Sequence, residues 1–434
     1  MTRPSPARPR SLPPARSAAL AALNACLASG GPDAQAALDS ALAKRRLDPR
    51  DIGLATELFY GVLRLKGRLD AILHRFLDRP QALPVEALTA LATACYELLY
   101  LDKVPAHASV NWGVDAVRLA AKGGLGGLAN AVLRKVAALV GKIDEPGFFG
   151  PEDDPVQGPK ALARRWSCPE WIVRLWLDAY GRERTLRYLQ AQCAPPALGV
   201  VLPYGHARAG ELAGELAAQP GLLARDGLGF AFAPGTRLDM GEDEPLLARQ
   251  GFAGRQALQA LDAATWPEPV WDACAGRGGK TRLLLELRKS VVASDVHRGR
   301  IRALETELPG VETYVCSALD LPPVDVRRGT VLLDAPCSGL GTLSRRPDIK
   351  WKRSPEDLND LVALQARMLD AAFSRLEPGG RLAYVTCTLN PAENEEQVRG
   401  FLERTAGAGL IKEWTTPPES ALGEFFYAAL LECR

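Results

Sequence analysis

None of the nine cysteines stands three residues from another, so the chain has no Cys-x-x-C pair, and its four histidines are scattered. Zinc-finger and dithiol redox classes therefore lack their ligands, and no metal ion is expected. The cysteine number is odd, which points to free thiols in a reducing cytoplasm. No apolar run reaches the ~18 residues needed to span a bilayer, and no secretory core opens the chain. Membrane residence is thus not expected, and the location read is cytoplasmic. Aromatic residues make up only 6%, and the net charge is only +2. Overall charge therefore does not announce nucleic acid. No Ser/His/Asp set is in evidence, so hydrolase chemistry is poorly supported. What remains is ordinary for a folded chain: 47% hydrophobic and 24% charged residues over 434 positions, enough for two to four domains.

The patterning divides that length. The first acidic residue is Asp33, preceded by Arg3, Arg8, Arg10 and Arg16 among prolines. Residues 1–16 read as a flexible basic arm. From 17 to 140 the period is helical. Leu69, Ile72, Leu73, Phe76 and Leu77 share one face, and Val85, Leu88, Leu91, Ala92, Cys95, Leu98 and Leu99 share another. This predicts an all-α bundle of about six helices. Residues 141–165, rich in Gly, Pro and acids, read as a linker. Residues 166–254 mix helical stretches with short β-like runs, a small α+β domain. From 255 to 434, apolar runs at 269–273, 291–294, 313–316, 330–333 and 381–385 end in polar residues and alternate with helices. That alternation predicts an α/β, Rossmann-like domain with a mostly parallel sheet. Ligands of such sheets sit beyond the carboxyl ends of the strands, so each polar terminus is a candidate site.

Three termini stand out. The run Trp271-Asp272-Ala273-Cys274-Ala275-Gly276-Arg277-Gly278-Gly279-Lys280-Thr281 takes a strand through a Gly-rich turn into a helix. Cys274 stands where a P-loop needs glycine, and Thr281 stands where a dinucleotide fingerprint needs its third glycine. A nucleotide without a phosphate grip, such as S-adenosylmethionine, fits better. Asp295 ends the next strand, where a carboxylate can accept two ribose hydroxyls. Asp334-Ala335-Pro336-Cys337 and Thr386-Cys387-Thr388 end two later strands. A lone strand cysteine is usually core, but two at strand ends suggest convergence on one cleft. Beyond Cys337 a basic loop carries Arg345, Arg346, Lys350, Lys352 and Arg353 around Trp351.

Together these motifs resemble the RNA cytosine-5 methyltransferases. The carriers are the Asp-x-Cys-Ala-x-x-Gly-Gly-Lys-Thr turn, Asp334 to Gly339, the Arg-Arg-Pro-Asp-Ile-Lys-Trp run, and Thr-Cys-Thr followed by Glu393-Asn394-Glu395. The bacterial Sun/RsmB type, which acts on 16S ribosomal RNA, is the nearest in pattern. Tyr60-Gly61-Val62-Leu63-Arg64, His107-Ala108-Ser109 and Asn130-Ala131-Val132-Leu133-Arg134 resemble its NusB-like RNA-binding domain, and Phe425-Phe426-Tyr427-Ala428 resembles its ending.

The resemblance implies S-adenosylmethionine as cofactor, held by Cys274, Ala275, Gly276, Arg277, Gly278, Gly279, Lys280, Asp295 and Asp334. It implies Cys387 as nucleophile, Cys337 as helper of release and Asp334 as the group that holds the base. It implies RNA, 16S ribosomal RNA first, as partner, and the chain is expected to act as a monomer. Under the same resemblance the basic loop is expected to contact the RNA strand, with Arg345, Arg346, Lys350, Lys352 and Arg353 as phosphate-binding cations and Trp351 as a stacking ring. The chain departs from the pattern at Gly276-Arg277, Ser317-Ala318, Gln256-Ala257 and Val200-Val201-Leu202. A non-catalytic or retargeted RNA-binding paralogue is the alternative that these departures leave open.

Overall fold

The computed structural model of the chain describes residues 11–122, 124–320 and 324–434. They form two compact units: residues up to Leu175 with Arg346–Lys352, and Trp176–Arg345 with Arg353–Arg434.

The first unit is helical: α1 (Pro14–Leu27), α2 (Ala34–Ala43), α3 (Pro49–Leu73), α4 (Val85–Tyr100), α5 (Ala106–Ala120), α6 (Gly126–Ala137) and α7 (Gly158–Arg165). Asp33 and Asp48 start α2 and α3 by accepting the free N–H groups of Ala36 and Asp51. A buried carboxylate ties the bundle. Glu97 accepts from both Arg16 nitrogens, from Ser109 Oγ and from Trp112 Nε1, at 2.6–3.0 Å. The basic arm expected at 1–16 therefore ends earlier than its composition suggests. Helix α1 begins at Pro14, and Arg16 is spent on Glu97; Arg3, Arg8 and Arg10 lie outside the described residues. The stretch expected as a linker is also folded in part. Ile143 and Phe149 are buried, Arg68 reaches Ile143 O and Asp144 and lies over the Phe149 ring, and α7 closes the segment. Two apolar anchors are enough to dock a Gly- and Pro-rich chain that has no period of its own.

The second unit holds two sheets. Helix α8 (Glu170–Cys193) breaks at Gly181, whose φ of +71° interrupts it. Then β1 (Leu198–Val201), β2 (Leu222–Asp226), β3 (Gly229–Phe232) and β4 (Ala248–Arg249) make an antiparallel sheet in the order β2-β3-β1-β4. Its apolar face packs Val200, Leu202, Phe230 and Phe232 against Leu212, Ala213 and Leu216 of the helix Ala209–Ala218. The sequence pattern places a domain boundary at 254/255, but the small sheet and the α/β domain belong to one unit. Buried Arg255 grips Asp226 at 3.2 Å and Glu286 at 2.5 Å, and Ala197, Ala231, Phe252, Ala253 and Leu422 form a common cluster. The expected start at 166 also shifts, because residues 166–175 belong to the helical unit.

The larger sheet contains β5 (Val270–Asp272), β6 (Val291–Ser294), β7 (Glu312–Tyr314), β8 (Thr330–Asp334), β9 (Arg381–Thr386), β10 (Ala408–Thr415) and β11 (Tyr427–Cys433) in the order β10-β11-β9-β8-β5-β6-β7. The run β9-β8-β5-β6-β7 is parallel, and β10 and β11 add an antiparallel edge. This is the Rossmann-like core of the α/β expectation, with strand order reversing at β5. The ends of β5, β6, β8 and β9 carry Asp272, Asp295, Asp334 and Cys387 to one rim.

Candidate functional site

Strand β5 delivers Asp272 fully buried. One of its carboxylate oxygens accepts from Thr281 Oγ1 at 2.7 Å, and the other has no hydrogen-bond partner. Burial pushes this carboxyl up to about 7. The chain then turns at Gly276 and Gly278, with φ of +58° and +84°, before the helix Gly279–Glu286. These left-handed values suit glycine, and a Cβ at Gly276 would meet only open space. Asp295 anchors the turn from β6. It accepts from Gly276 N at 3.1 Å and from His297 N at 2.8 Å, and is only 5% exposed.

Not every expected cofactor residue points the same way. The Arg277 side chain is exposed and pairs with Glu307 at 3.1 Å. Cys274 packs against the apolar core, and burial raises its thiol. Only the backbone of these two is available to a ligand at the turn. Lys280 instead reaches Asp334 at the end of β8, at 2.6 Å, with the Phe426 ring 5.4 Å away. Burial alone would lower the Lys280 ammonium, but the charge and hydrogen bond of Asp334 outweigh it and hold it above its ordinary range.

The two cysteines, fifty residues apart in sequence, meet with their sulfurs 3.4 Å apart. The Cys387 N–H also donates to Cys337 Sγ at 3.4 Å. The hydrogen bond with Cys387 and burial raise the Cys337 thiol well above the ordinary range. Cys337 therefore keeps its proton where a free thiol would lose it. Between the two loops sits Glu393, fully buried. It accepts from Ser338 N at 2.8 Å, Gln365 Nε2 at 2.9 Å, Asn390 Nδ2 at 3.0 Å and Ser338 Oγ. Buried Asn394 bonds Thr386 and Thr388 on either side of Cys387. Gly341 donates to Cys387 O at 3.0 Å, and a Cβ there would lie 2.0 Å from Phe425 O. Gln192 fastens this loop from α8 through Gly341 O, Gly423 O and Ser344 N. The sequence pattern contains Glu393-Asn394-Glu395 but gives Glu393 no work. The available signal is an acid six residues after a strand-end cysteine; the partner Ser338 is too distant in sequence to be inferred.

The basic loop differs from its expectation. Lys350 is 2% exposed, and its ammonium donates to Arg64 O and Ser167 O, each at 2.7 Å. Trp351 Nε1 donates to Leu63 O at 2.8 Å. Both belong to the helical unit's own packing: the Lys350 ammonium is spent on two carbonyls and the polar edge of half-buried Trp351 on a third. Lys352 holds Pro32 O at 2.5 Å and Asp348 at 3.3 Å, and Arg345 holds Glu424 at 2.7 Å. Arg346 is exposed and Arg353 is half-buried. Five like charges in nine residues look like a phosphate track, but backbone carbonyls and buried acids claim most of them. Among the described residues no cluster of His, Cys, Asp or Glu could hold a metal ion, and no helix is long and apolar enough to cross a membrane.

A Rossmann-like sheet with a glycine turn at β5, an acidic β6 end and a helical domain before it defines a methyltransferase architecture. The comparisons agree. Residues 259–430 match the family described as 16S rRNA methyltransferase RsmB/F, and residues 13–138 match the NusB family. The probable ribosomal RNA small subunit methyltransferase B of Synechocystis is 33% identical over 88% of this chain and 87% of its own length. The ribosomal RNA small subunit methyltransferase B of Vibrio cholerae is 31% identical over 89% and 91%. Among solved structures, PH0851 aligns with a TM-score of 0.74 at 23% identity, covering 98% of this chain and all of its own. The chain belongs to the RsmB/F family of 16S rRNA methyltransferases.

Proposed function

We propose that the protein methylates carbon 5 of a cytosine in 16S ribosomal RNA, with S-adenosylmethionine as methyl donor and a transient bond between Cys387 and the base. The observation that carries this reading is the pair of strand-end thiols 3.4 Å apart beside the Lys280–Asp334 ion pair. The family membership supports the methyl transfer and the RNA.

The residues fit the cofactor. The unpartnered oxygen of buried Asp272 is an acceptor at the glycine turn's end of β5, the open space at Gly276 admits a ligand close to the backbone, and Asp295 sits where ribose hydroxyls bind. Bound there, S-adenosylmethionine supplies an electrophilic methyl group. Gly276, Gly278 and Gly279 would hold its amino-acid part, and Asp295 its sugar.

Carbon 5 of cytosine is a poor nucleophile. Cys387, as thiolate, adds to carbon 6, and the electron pair of the 5,6 double bond becomes available at carbon 5. Asp334 accepts a hydrogen bond from the exocyclic amine, and from ring nitrogen 3 once that nitrogen is protonated in the adduct, and Lys280 keeps that carboxylate in place. Carbon 5 would take the methyl group with S-adenosylhomocysteine as the leaving group; its proton then leaves to a base, the double bond reforms and the Cys387–carbon 6 bond breaks. Cys337, still protonated beside Cys387, donates a hydrogen bond to the departing sulfur. The target base has to leave its stack for its carbon 6 to reach Cys387. The test uses unmodified 16S ribosomal RNA and S-adenosylmethionine with a labelled methyl group, followed by nucleoside analysis. Label in 5-methylcytidine is the expected result; label in another nucleoside, or none, overturns the reading.

A further inference from the structure

With Lys350 and Trp351 engaged by backbone carbonyls, the RNA has to be gripped by other groups. The helical unit contains a cavity of about 430 Å³ lined by Ala71, His74, Arg75, Phe148, Phe149 and Arg164 with the glycines Gly147 and Gly150. That volume is in the range of ligand pockets. Its charged lining is entirely basic, with no carboxylate among the lining residues.

The cavity is built. Phe149 is buried and lies under the Arg68 guanidinium at 5.2 Å, which pins the 147–150 loop. Gly147 and Gly150, at φ +77° and +119°, turn that loop so that half-buried Phe148 faces outward. Arg75, just beyond the end of α3, donates to Phe148 O at 3.3 Å, and its guanidinium lies 4.2 Å from the Phe148 ring centre. An exposed guanidinium that lies over a ring and spends only one N–H group on Phe148 O keeps donors for a phosphate, and the ring–cation pair is a platform on which a base can stack. His74 and Arg164 are exposed beside it.

We infer that this cavity is a second RNA-binding site, separate from the target-base cleft, in which Arg75 and Arg164 hold a backbone phosphate and the Phe148–Arg75 stack holds an unpaired base. The inference rests on the proposed RNA substrate and adds where the helical unit grips it. Planar stacking plus an all-cationic rim is nucleotide chemistry; a lipid surface would meet the cations without using the ring.

The test measures binding of the full chain to a short mixed-sequence single-stranded RNA, by fluorescence anisotropy over a series of KCl concentrations. The double variant Arg75→Ala, Arg164→Ala should bind roughly tenfold more weakly, with the slope of log affinity against log salt flattened by about 0.7, the value for one phosphate contact on a single strand. Phe148→Ala should weaken binding several-fold with the slope unchanged, because stacking carries no counterion release. Thermal melting and calorimetric S-adenosylmethionine binding, both expected to match wild type, separate a lost contact from a misfolded chain. Should Phe148→Ala prove destabilised, the exposed Arg164→Glu carries the same test. Wild-type affinity and slope in the arginine variants would overturn the second site while leaving the proposed reaction standing. A wild-type chain that binds no RNA overturns both.

Discussion

Asp272 shows how much a single buried group can set. Its folded-state carboxyl titrates at about 7, against an ordinary value of 3.8. The native state therefore holds a proton that the unfolded chain has already lost between those two values, so stability falls as pH rises through that window and levels off above it. Replacing it by asparagine, Asp272→Asn, removes the titration. Urea unfolding at pH 5 and pH 8 should show wild type losing roughly 3 kcal/mol relative to the variant over that interval; parallel curves would place the carboxyl at an ordinary value. Glu393 is buried among hydrogen-bond donors. Glu393→Gln turns an NH₂ group toward the N–H groups of Ser338 and Gln365, and unfolding measurements should register a cost of about 1–3 kcal/mol. No loss would mean that the two cysteine loops are held by other contacts. At this scale the sequence is most legible where a strand delivers a residue: Asp295, Asp334 and both cysteines need only their strand ends, whereas Asp272 ends β5 inside the glycine-turn motif and is given no role there, because its burial and unpartnered oxygen show only in the fold. Glu393 and Gln192 are hidden because their partners lie up to 231 residues away.

The elements tell a similar story about what a local pattern can carry. Four of the five parallel strands of the larger sheet, β5, β6, β8 and β9, are visible as short apolar runs because they are buried on both faces, whereas the edge strand β7 exposes Glu312 and Tyr314. The antiparallel edge is not. Strand β10 leaves most of its residues exposed, and β11 is buried almost throughout, so neither shows the alternation that marks a half-buried strand. The 349–352 stretch reads as loop in the sequence and folds as a helical turn whose Lys350 is a structural cation. Lys350→Met should therefore lower thermal stability, by about 2 kcal/mol, through two stranded carbonyls, and leave the salt dependence of RNA binding as it is. A flattened salt slope with unchanged stability would restore the phosphate contact. Arg255 is the joint between the small sheet and the helix Gly279–Glu286 after the glycine turn. Arg255→Ala leaves Asp226 and Glu286 without their cation and should cost about 3–5 kcal/mol in denaturant unfolding; a cost near zero would mean that the small sheet stands on the Phe252 cluster alone.

For the molecule as a whole, composition excludes more than it assigns, and the family pattern comes from a few strand-end motifs. Domain limits are the least legible part, since Arg16, the pair Ile143 and Phe149, and Arg255 each commit a stretch of unpromising composition to a core through one or two side chains. The central claim is that Cys387 attacks the base and Cys337 governs its release, and the two meet at 3.4 Å. Covalent trapping tests it most directly. Cys337→Ala is incubated with 16S ribosomal RNA and S-adenosylmethionine, then run on a denaturing gel. Protein that stays attached to RNA is the expected result, absent when Cys387→Ala is added to the same chain. Trapping by Cys387→Ala in place of Cys337→Ala, or persistence of the complex in the double variant, would contradict it.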